Sequence, residues 1–483
     1  MSVFTFEEWL PDQPDLGNPG TIVAKNCLPG LRGFRPFPAA SVVSTALDAR
    51  PLGAISAIDS SGGVHSYAGN ATKLYSLAAA TWSDVSIAGG YTNTAIHWDF
   101  ASFGEVIIAT NYIDDPQEFN MDTAALFSVL TTDFKAKYVA VVRDFVVFGY
   151  LNTSGTINTN RVRWSSITDY TDYTVSASTQ ADFQDTPNGG SVQRIFGGEY
   201  GVVFFQNSIM RMSYVGSPVI FQFDDIAPEN GLYAPGAAAQ DGDNIYFLDA
   251  DGFYVLKAGQ AVQAIGNEKV DAWFWSMLDG TQKDRISCAV DHENKVAMWS
   301  FPALGNAGGK PDTILCFDIE TGRWSYAMQD NDMIYSGLSV GFTLEDLDSL
   351  PGDLDDINIS LDSRIFFAGN KAIGLFDSFT LHVLAGSPLT AVFETKEQQL
   401  FQGGRALITE AWPLVDGGTT TVEIGTRDRQ QDNVVWSSSA TVNAVGFAPT
   451  RSEGRYVRAR LTCSGLWDEA QAVDLIEKPT GGR

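Results

Sequence analysis

The sequence predicts an all-β fold, a degenerate β-propeller of about seven blades, and three observations predict it. From about Ser41, short runs rich in Val, Ile, Phe and Tyr are separated by Gly, Asp or Asn turns, the pattern of consecutive antiparallel hairpins. Seven such groups centre on Ile55, Val106, Val146, Val203, Tyr246, Ala297 and Phe366. Their mean spacing of about 52 residues approaches the roughly 40–50 of a four-stranded blade and leaves room for loop insertions. Several units also share one form, a strand ending in Asp and a turn leading into an aromatic strand: LDADGFYVL, CFDIETGRWSY and LFDSFTLHVL. The same hairpins would suit stacked β-sandwiches, the alternative architecture.

The elements follow in order. Residues 1–40 are expected to form an irregular arm, because the six prolines between residues 11 and 40, with glycines among them, oppose both helix and central strand. Such an arm should be pinned by local turns and lie over another surface. Residues 41–386 are the expected propeller. Within it, Asn267 can cap a short helix through Leu278, with Val270, Trp273, Phe274 and Met277 on one apolar face. Thr343-Leu-Glu-Asp346 resembles a capping box before a second short helix. Beyond a junction near Gly386 to Pro388, the strand pattern resumes in LITEAWPLVDG, TTTVEIGTRD, NVVWSSSATV and GRYVRARLTCSG. Residues 387–483 are therefore expected to form a separate β-sandwich-like domain.

The chain has 483 residues, of which 44% are hydrophobic and 18% charged, the latter below the roughly 25% of average domains. It is a folded, turn-rich chain. The formal charge is −27, so its surface repels phosphate and ordinary nucleic-acid binding is disfavoured. The longest apolar run, Tyr138 to Val142, is far short of the about 20 residues of a membrane helix. The opening residues show no basic region followed by an apolar stretch, so the expectation is a chain made and folded in a cytoplasm. Cys27, Cys288, Cys316 and Cys463 have no short paired spacing and read as reduced, mostly buried thiols. The charge is uneven: residues 391–483 hold 10 cations, eight of them arginine, against 12 carboxylates, which leaves the first 390 residues at −25.

No catalytic or metal-binding constellation stands out, and no cofactor is expected. The histidines His65, His97, His292 and His382 lie far apart, and there is no nucleophile elbow or phosphate-cradling loop. A pair of carboxylates for glycan hydrolysis leaves no fixed spacing, so that chemistry is not legible here. The densest acidic run contains Asp346, Asp348, Asp353, Asp355, Asp356 and Asp362, but lacks the order of a calcium loop. It reads as a solvated loop or an acidic surface facing a channel. The eleven tryptophans are dispersed, as core and inter-blade packing requires. In GRYVRARL a period of two puts Tyr456, Arg458 and Arg460 on one face and Val457, Ala459 and Leu461 on the other. With Arg427, Arg429 and Arg455 these arginines are candidates for docking an acidic partner or another copy of the chain; pairing inside the domain is the alternative.

The stretches DLGNPGTIVAKNCLPGLRGFRPFP, DLDDINISLDSRIFFAGNKAIGLFD, ALITEAWPLVDGG, EIGTRDRQ and GRYVRARLTCSGLWDEAQAVDL resemble structural proteins of phage tail gene clusters. They cover about a third of the chain. The layout as a whole resembles the β-propeller nozzle, or packaged-DNA-stabilising hub, of short-tailed bacteriophages. The resemblance implies a non-enzymatic virion protein assembled in the host cytoplasm as a ring of copies, six in that family. Its partners would be the head-to-tail connector, tail fibres or spikes, and genomic DNA passing through without specific binding. The charge agrees on one point, since an acidic wall within a Debye length of about 8–10 Å keeps a duplex mobile. The rival expectation is a carbohydrate-binding or glycan-degrading propeller of the virion.

Overall fold

The computed structural model describes residues 2–93, 96–167, 169–187, 189–339 and 369–480. Seven four-stranded antiparallel units follow one another around a ring. Their first strands are Gly53–Ile58, Asp99–Phe103, Lys135–Val142, Val192–Phe196, Ala238–Asp241, Ser287–Asp291 and Met333–Leu338. Six of the units are independent sheets, and the sixth blade, which begins at Ser287, belongs to a sheet of 14 strands. The architecture is the all-β propeller expected from the hairpin spacing.

Closure comes from the N-terminal side. Blade seven runs Met333–Leu338, Lys371–Asp377, Thr380–Pro388, and its outer strand is Pro38–Ala46, with His382 opposite Val42 and Val383 opposite Ser41. Joining strands from both ends of the ring ties the first blade to the last and removes an open edge. Neighbouring inner strands approach so closely that only glycine fits at some positions. A Cβ on Gly53 would lie 2.2 Å from the Trp98 carbonyl oxygen, and one on Gly236 would lie 2.2 Å from that of Ile286.

Burial follows the packing of blade on blade. Second strands such as Val106–Thr110, Gly201–Phe205 and Val296–Phe301 are buried on both faces, which is why they read as unbroken apolar runs. Outer strands such as Asp182–Asp185 and Ala261–Ala264 are largely exposed. Tryptophans bridge elements through their indole N–H groups: Trp98 donates to Asn70 O at 2.7 Å, Trp299 to Ala237 O at 3.1 Å and Trp324 to Ile265 O at 3.0 Å. The recurrent Asp at strand ends closes its turn with its own side chain. Asp318 Oδ1 accepts from Glu320 N at 2.9 Å and Thr321 N at 2.7 Å, and Asp291 Oδ1 does the same for Glu293 and Asn294.

The arm is more regular than expected. Ser2–Thr5 pairs with Ala472–Leu475, and Cys27–Gly30 forms a hairpin with Gly33–Pro36. A two-residue loop makes Gly30 and Gly33 a hydrogen-bonded pair, so Pro29 and Pro36 occupy non-hydrogen-bonded positions and lose no ladder bond. Between these segments Val23–Lys25 pairs in parallel with blade six, Lys25 opposite Tyr326, and antiparallel with Ala391–Glu394. That strand in turn pairs with Tyr456–Thr480, whose main partner is Arg405–Arg427. The C-terminal region is therefore a curled sheet continuous with blade six through the arm, not the separate unit expected. The expectation failed because a three-residue strand inside a proline-rich arm carries no pattern of its own.

The helix spans Asp271–Met277, shorter than expected, and Asn267 does not cap it. Its N–H groups are capped from the arm: Asp12 accepts from Ala272 N at 2.9 Å and Trp273 N at 2.7 Å. Val270 and Phe274 are fully buried, and Trp273 and Met277 pack against the same core. The second expected helix, at Thr343 to Asp346, lies outside the described residues.

Candidate functional site

The C-terminal arginines are brought together, but three of them are engaged within the chain. Arg460 lies opposite Glu394 on one neighbouring strand and Glu423 on the other. Its guanidinium meets Glu394 at 2.6 Å and Glu423 at 3.2 Å, and lies 3.8 Å from the Trp436 ring centroid. Arg458 Nη1 reaches Asp15 of the arm at 3.1 Å. Arg427 forms a two-point fork on Glu397, Nε to Oε1 at 2.7 Å and Nη2 to Oε2 at 2.5 Å, and Glu397 is only 1% exposed. These three do not form a free docking face, because neighbouring strands and the arm cover the side that period-two alternation assigned to solvent. Arg429 is exposed and Arg455 half-buried, with no ion pair for either among the described residues. The acidic candidates Asp346, Asp348, Asp353, Asp355 and Asp356 lie outside the described residues. The four cysteines are buried and unbonded, and burial pushes the Cys27 and Cys288 thiols up.

Sequence reading missed the cavity at the middle of the ring. It has a volume of about 280 Å³ and receives residues from all seven blades, each on or just before an inner strand. Four cations line it, Arg50, Lys137, Arg194 and Arg285, against three carboxylates, Asp99, Asp284 and Asp332. Asp99 is committed to the fold, since its Oδ2 accepts from Val139 N at 2.9 Å, and burial raises its pKa toward the neutral form. Asp332 Oδ2 accepts from Phe379 N at 3.1 Å. Arg194 donates to Pro235 O and Arg285 to Gly308 O, each at 3.1 Å. Among the described residues none of the four cations has a carboxylate within ion-pair distance.

The electrostatics record this crowding of like charge. Burial, followed by the nearby Arg194 and Lys137, lowers the His97 pKa to about 3, so its imidazole is neutral at physiological pH. Burial, then the Arg285 guanidinium, lowers that of Arg50. His97 Nε2 and Arg50 Nε are buried without a hydrogen-bond partner among the described residues. No spacing motif could reveal these residues, because they are scattered from Arg50 to Asp332. A signal did exist, namely a charged side chain recurring at the entry to successive first strands.

This bore is not the acidic wall considered for a DNA channel. Four cations line it against three carboxylates, and its volume lies just below the roughly 300–1,000 Å³ of small-molecule sites.

The seven inner strands are the first strands of successive blades in one ring and so run in the same direction, which places their first hairpin turns together at one face. Six of those turns carry an acid: Asp59, Glu105, Asp144, Glu199, Asp243 and Glu293. The corresponding turn of blade seven lies outside the described residues. Glu105, Asp144, Glu199, Asp243 and Glu293 are exposed, and Arg143 approaches Glu199 at 3.3 Å. The ring thus has an acid-edged face and, toward its other end, a cation-lined centre.

Among the described residues no group of three or more His, Cys, Asp or Glu side chains is arranged to hold a metal ion, and no helix is long and apolar enough to cross a membrane. No protein-family model matches the chain, and no curated protein matches it. Among solved structures, the extracellular domain of a putative one component system from B. thetaiotaomicron aligns with a TM-score of 0.43 at 12% identity, over 82% of this chain and 47% of that one. A nidogen/laminin complex aligns with a TM-score of 0.34 at 10% identity, over 55% of this chain and 93% of that one. The chain spans about half the length of the first of these.

Proposed function

We propose that the chain is a structural, non-enzymatic virion protein that forms a homo-oligomeric ring, six copies in the nozzle or hub arrangement, in the tail of a short-tailed phage. The observation that carries this reading is the acid on the first hairpin turn of six blades, turns that share one face of the ring and include the cations Arg143 and Lys295. A carboxylate-edged face gives phosphate nothing to grip, and a duplex within about a Debye length of it stays mobile. The pairing of Arg427, Arg458 and Arg460 inside the chain supports the same reading, since it withdraws cations that would otherwise hold DNA. The tail-cluster resemblance of both termini supports the virion setting. Docking to the connector and to fibres or spikes then falls to surfaces other than those three arginines.

Electron microscopy of the full chain mixed with its neighbouring head-to-tail connector tests the proposal. The expected image is a closed ring of copies with a lumen wide enough for duplex DNA. A stable monomer with no affinity for the connector or any other virion component overturns it.

A further inference from the structure

A tail ring needs no small ligand, so the central cavity asks for an explanation beyond that role. In a chain of net charge −27, the cavity gathers four cations, and the carboxylates nearest them are partly withdrawn. Asp99 is held by backbone amides and Asp332 accepts from Phe379 N, which leaves Asp284 at the exposed side. Four cations without a carboxylate at ion-pair distance among the described residues, gathered around one central cavity, are the arrangement expected of an anion site.

The geometry points to a site for one small hydroxylated carboxylic acid, of sugar-acid size, held in the central cavity by Arg50, Lys137, Arg194 and Arg285. The size follows from about 280 Å³, which admits a single ring and not a polymer. The negative charge follows from the cation excess. The hydroxyl groups follow from the remaining lining beside apolar Leu52 and Trp98: the Asp284 carboxylate can accept, Gln240 keeps its Oε1 while its Nε2 donates to Gly197 O and Gly242 O, and Ser287 and Ser336 each keep a hydroxyl proton while accepting from Ile334 N and Val290 N.

Calorimetric titration of the full chain with sodium glucuronate, glucose and inorganic phosphate tests this. Glucuronate is expected to bind one per chain, and glucose at least about tenfold more weakly, the factor that one lost charge-assisted contact of roughly 1.4 kcal/mol produces. Lys137→Met and Arg50→Met are each expected to weaken glucuronate at least about tenfold, while Arg50→Lys keeps most of the binding. Melting curves of the unliganded variants check that they fold, and the wild-type comparison of glucuronate with glucose decides the charge requirement even if a variant does not. Equal affinity for glucose, unchanged binding in both methionine variants, phosphate entering while glucuronate does not, or no binding of any probe would each overturn the assignment.

Discussion

The ring and the curled C-terminal sheet use the same secondary structure and hold it together by different means. In the ring, six of the seven blades are local meanders, cohesion comes from apolar strands packed against the next blade, and ion pairs such as Arg161–Asp185 sit on partly exposed outer strands. In the C-terminal sheet, two long strands, Arg405–Arg427 and Tyr456–Thr480, receive the arm and Ala391–Glu394 at their margins, and buried or half-buried ion pairs fix the joins. The lesson is that repeated apolar packing carries the ring, whose ion pairs are partly exposed, whereas the joins between distant segments of the chain bury theirs, as at Arg427 and Glu397. The N-terminal 46 residues belong to both regions, since Pro38–Ala46 closes the ring and the preceding strands bridge it to the sheet.

That dual role gives the largest expected effect. Removing residues 1–46 takes away the outer strand of blade seven and uncovers the edge of blade six, so the truncated chain is expected to lose its cooperative melt and bind a hydrophobic dye. A cooperative melt close to that of the full chain would show that the ring closes without this strand. Next comes Trp9→Ala, at the junction itself. Trp9 is 1% exposed, donates to Ile22 O at 3.0 Å and packs 4.8 Å from Trp273 and 4.9 Å from Tyr326, ring to ring. A loss of about 3–5 kcal/mol by denaturant unfolding is expected.

The charge joins give a smaller and more diagnostic effect. Arg427→Ala strands the buried Glu397 carboxylate and is expected to cost about 3 kcal/mol, while Arg427→Met with Glu397→Met restores most of it. Arg460→Glu would line up three carboxylates across adjacent strands, with Glu394 and Glu423, and should lower stability by a comparable amount. Charge reversal at Arg458 and Arg460 should therefore act on folding ahead of assembly, the reverse of the expectation for a solvent face. Unchanged melting of Arg460→Glu would restore the docking reading.

The smallest effect concerns pH at the join of helix and arm. Burial, with the Asp12 carboxylate adding to it, raises the Asp271 pKa to about 6. A raised carboxyl pKa means that the folded chain holds a proton the unfolded chain has released, so this contribution to stability is present at low pH and is lost as pH rises from about 4 to about 6. Solvent screening of this half-buried group holds the change below about 1 kcal/mol. Asp271→Asn should abolish that segment of the pH profile of stability; a profile identical to wild type would assign it to another group.

The sequence made the blades legible because each is local: Leu248 to Leu256 and Cys316 to Tyr326 spell strand, Asp-closed turn and aromatic strand within a dozen residues. It hid whatever depends on pairing distant segments. That Val42 faces His382, or that Arg460 lies between Glu394 and Glu423, is a matter of register, and alternation along one strand cannot show which neighbour covers a face. The central cavity was hidden for the same reason, since Arg50, His97, Lys137, Arg194 and Arg285 meet only when the ring closes.

The claim that the acid-edged face leaves DNA free is tested most directly by fluorescence anisotropy of a labelled duplex titrated with the full chain at about 50 mM salt, where phosphate contacts are strongest. The account predicts no binding by the wild-type chain, and binding that weakens steeply with added salt once Glu105, Asp144, Glu199, Asp243 and Glu293 are all changed to lysine. Salt-sensitive binding of the duplex by the wild-type chain would contradict it.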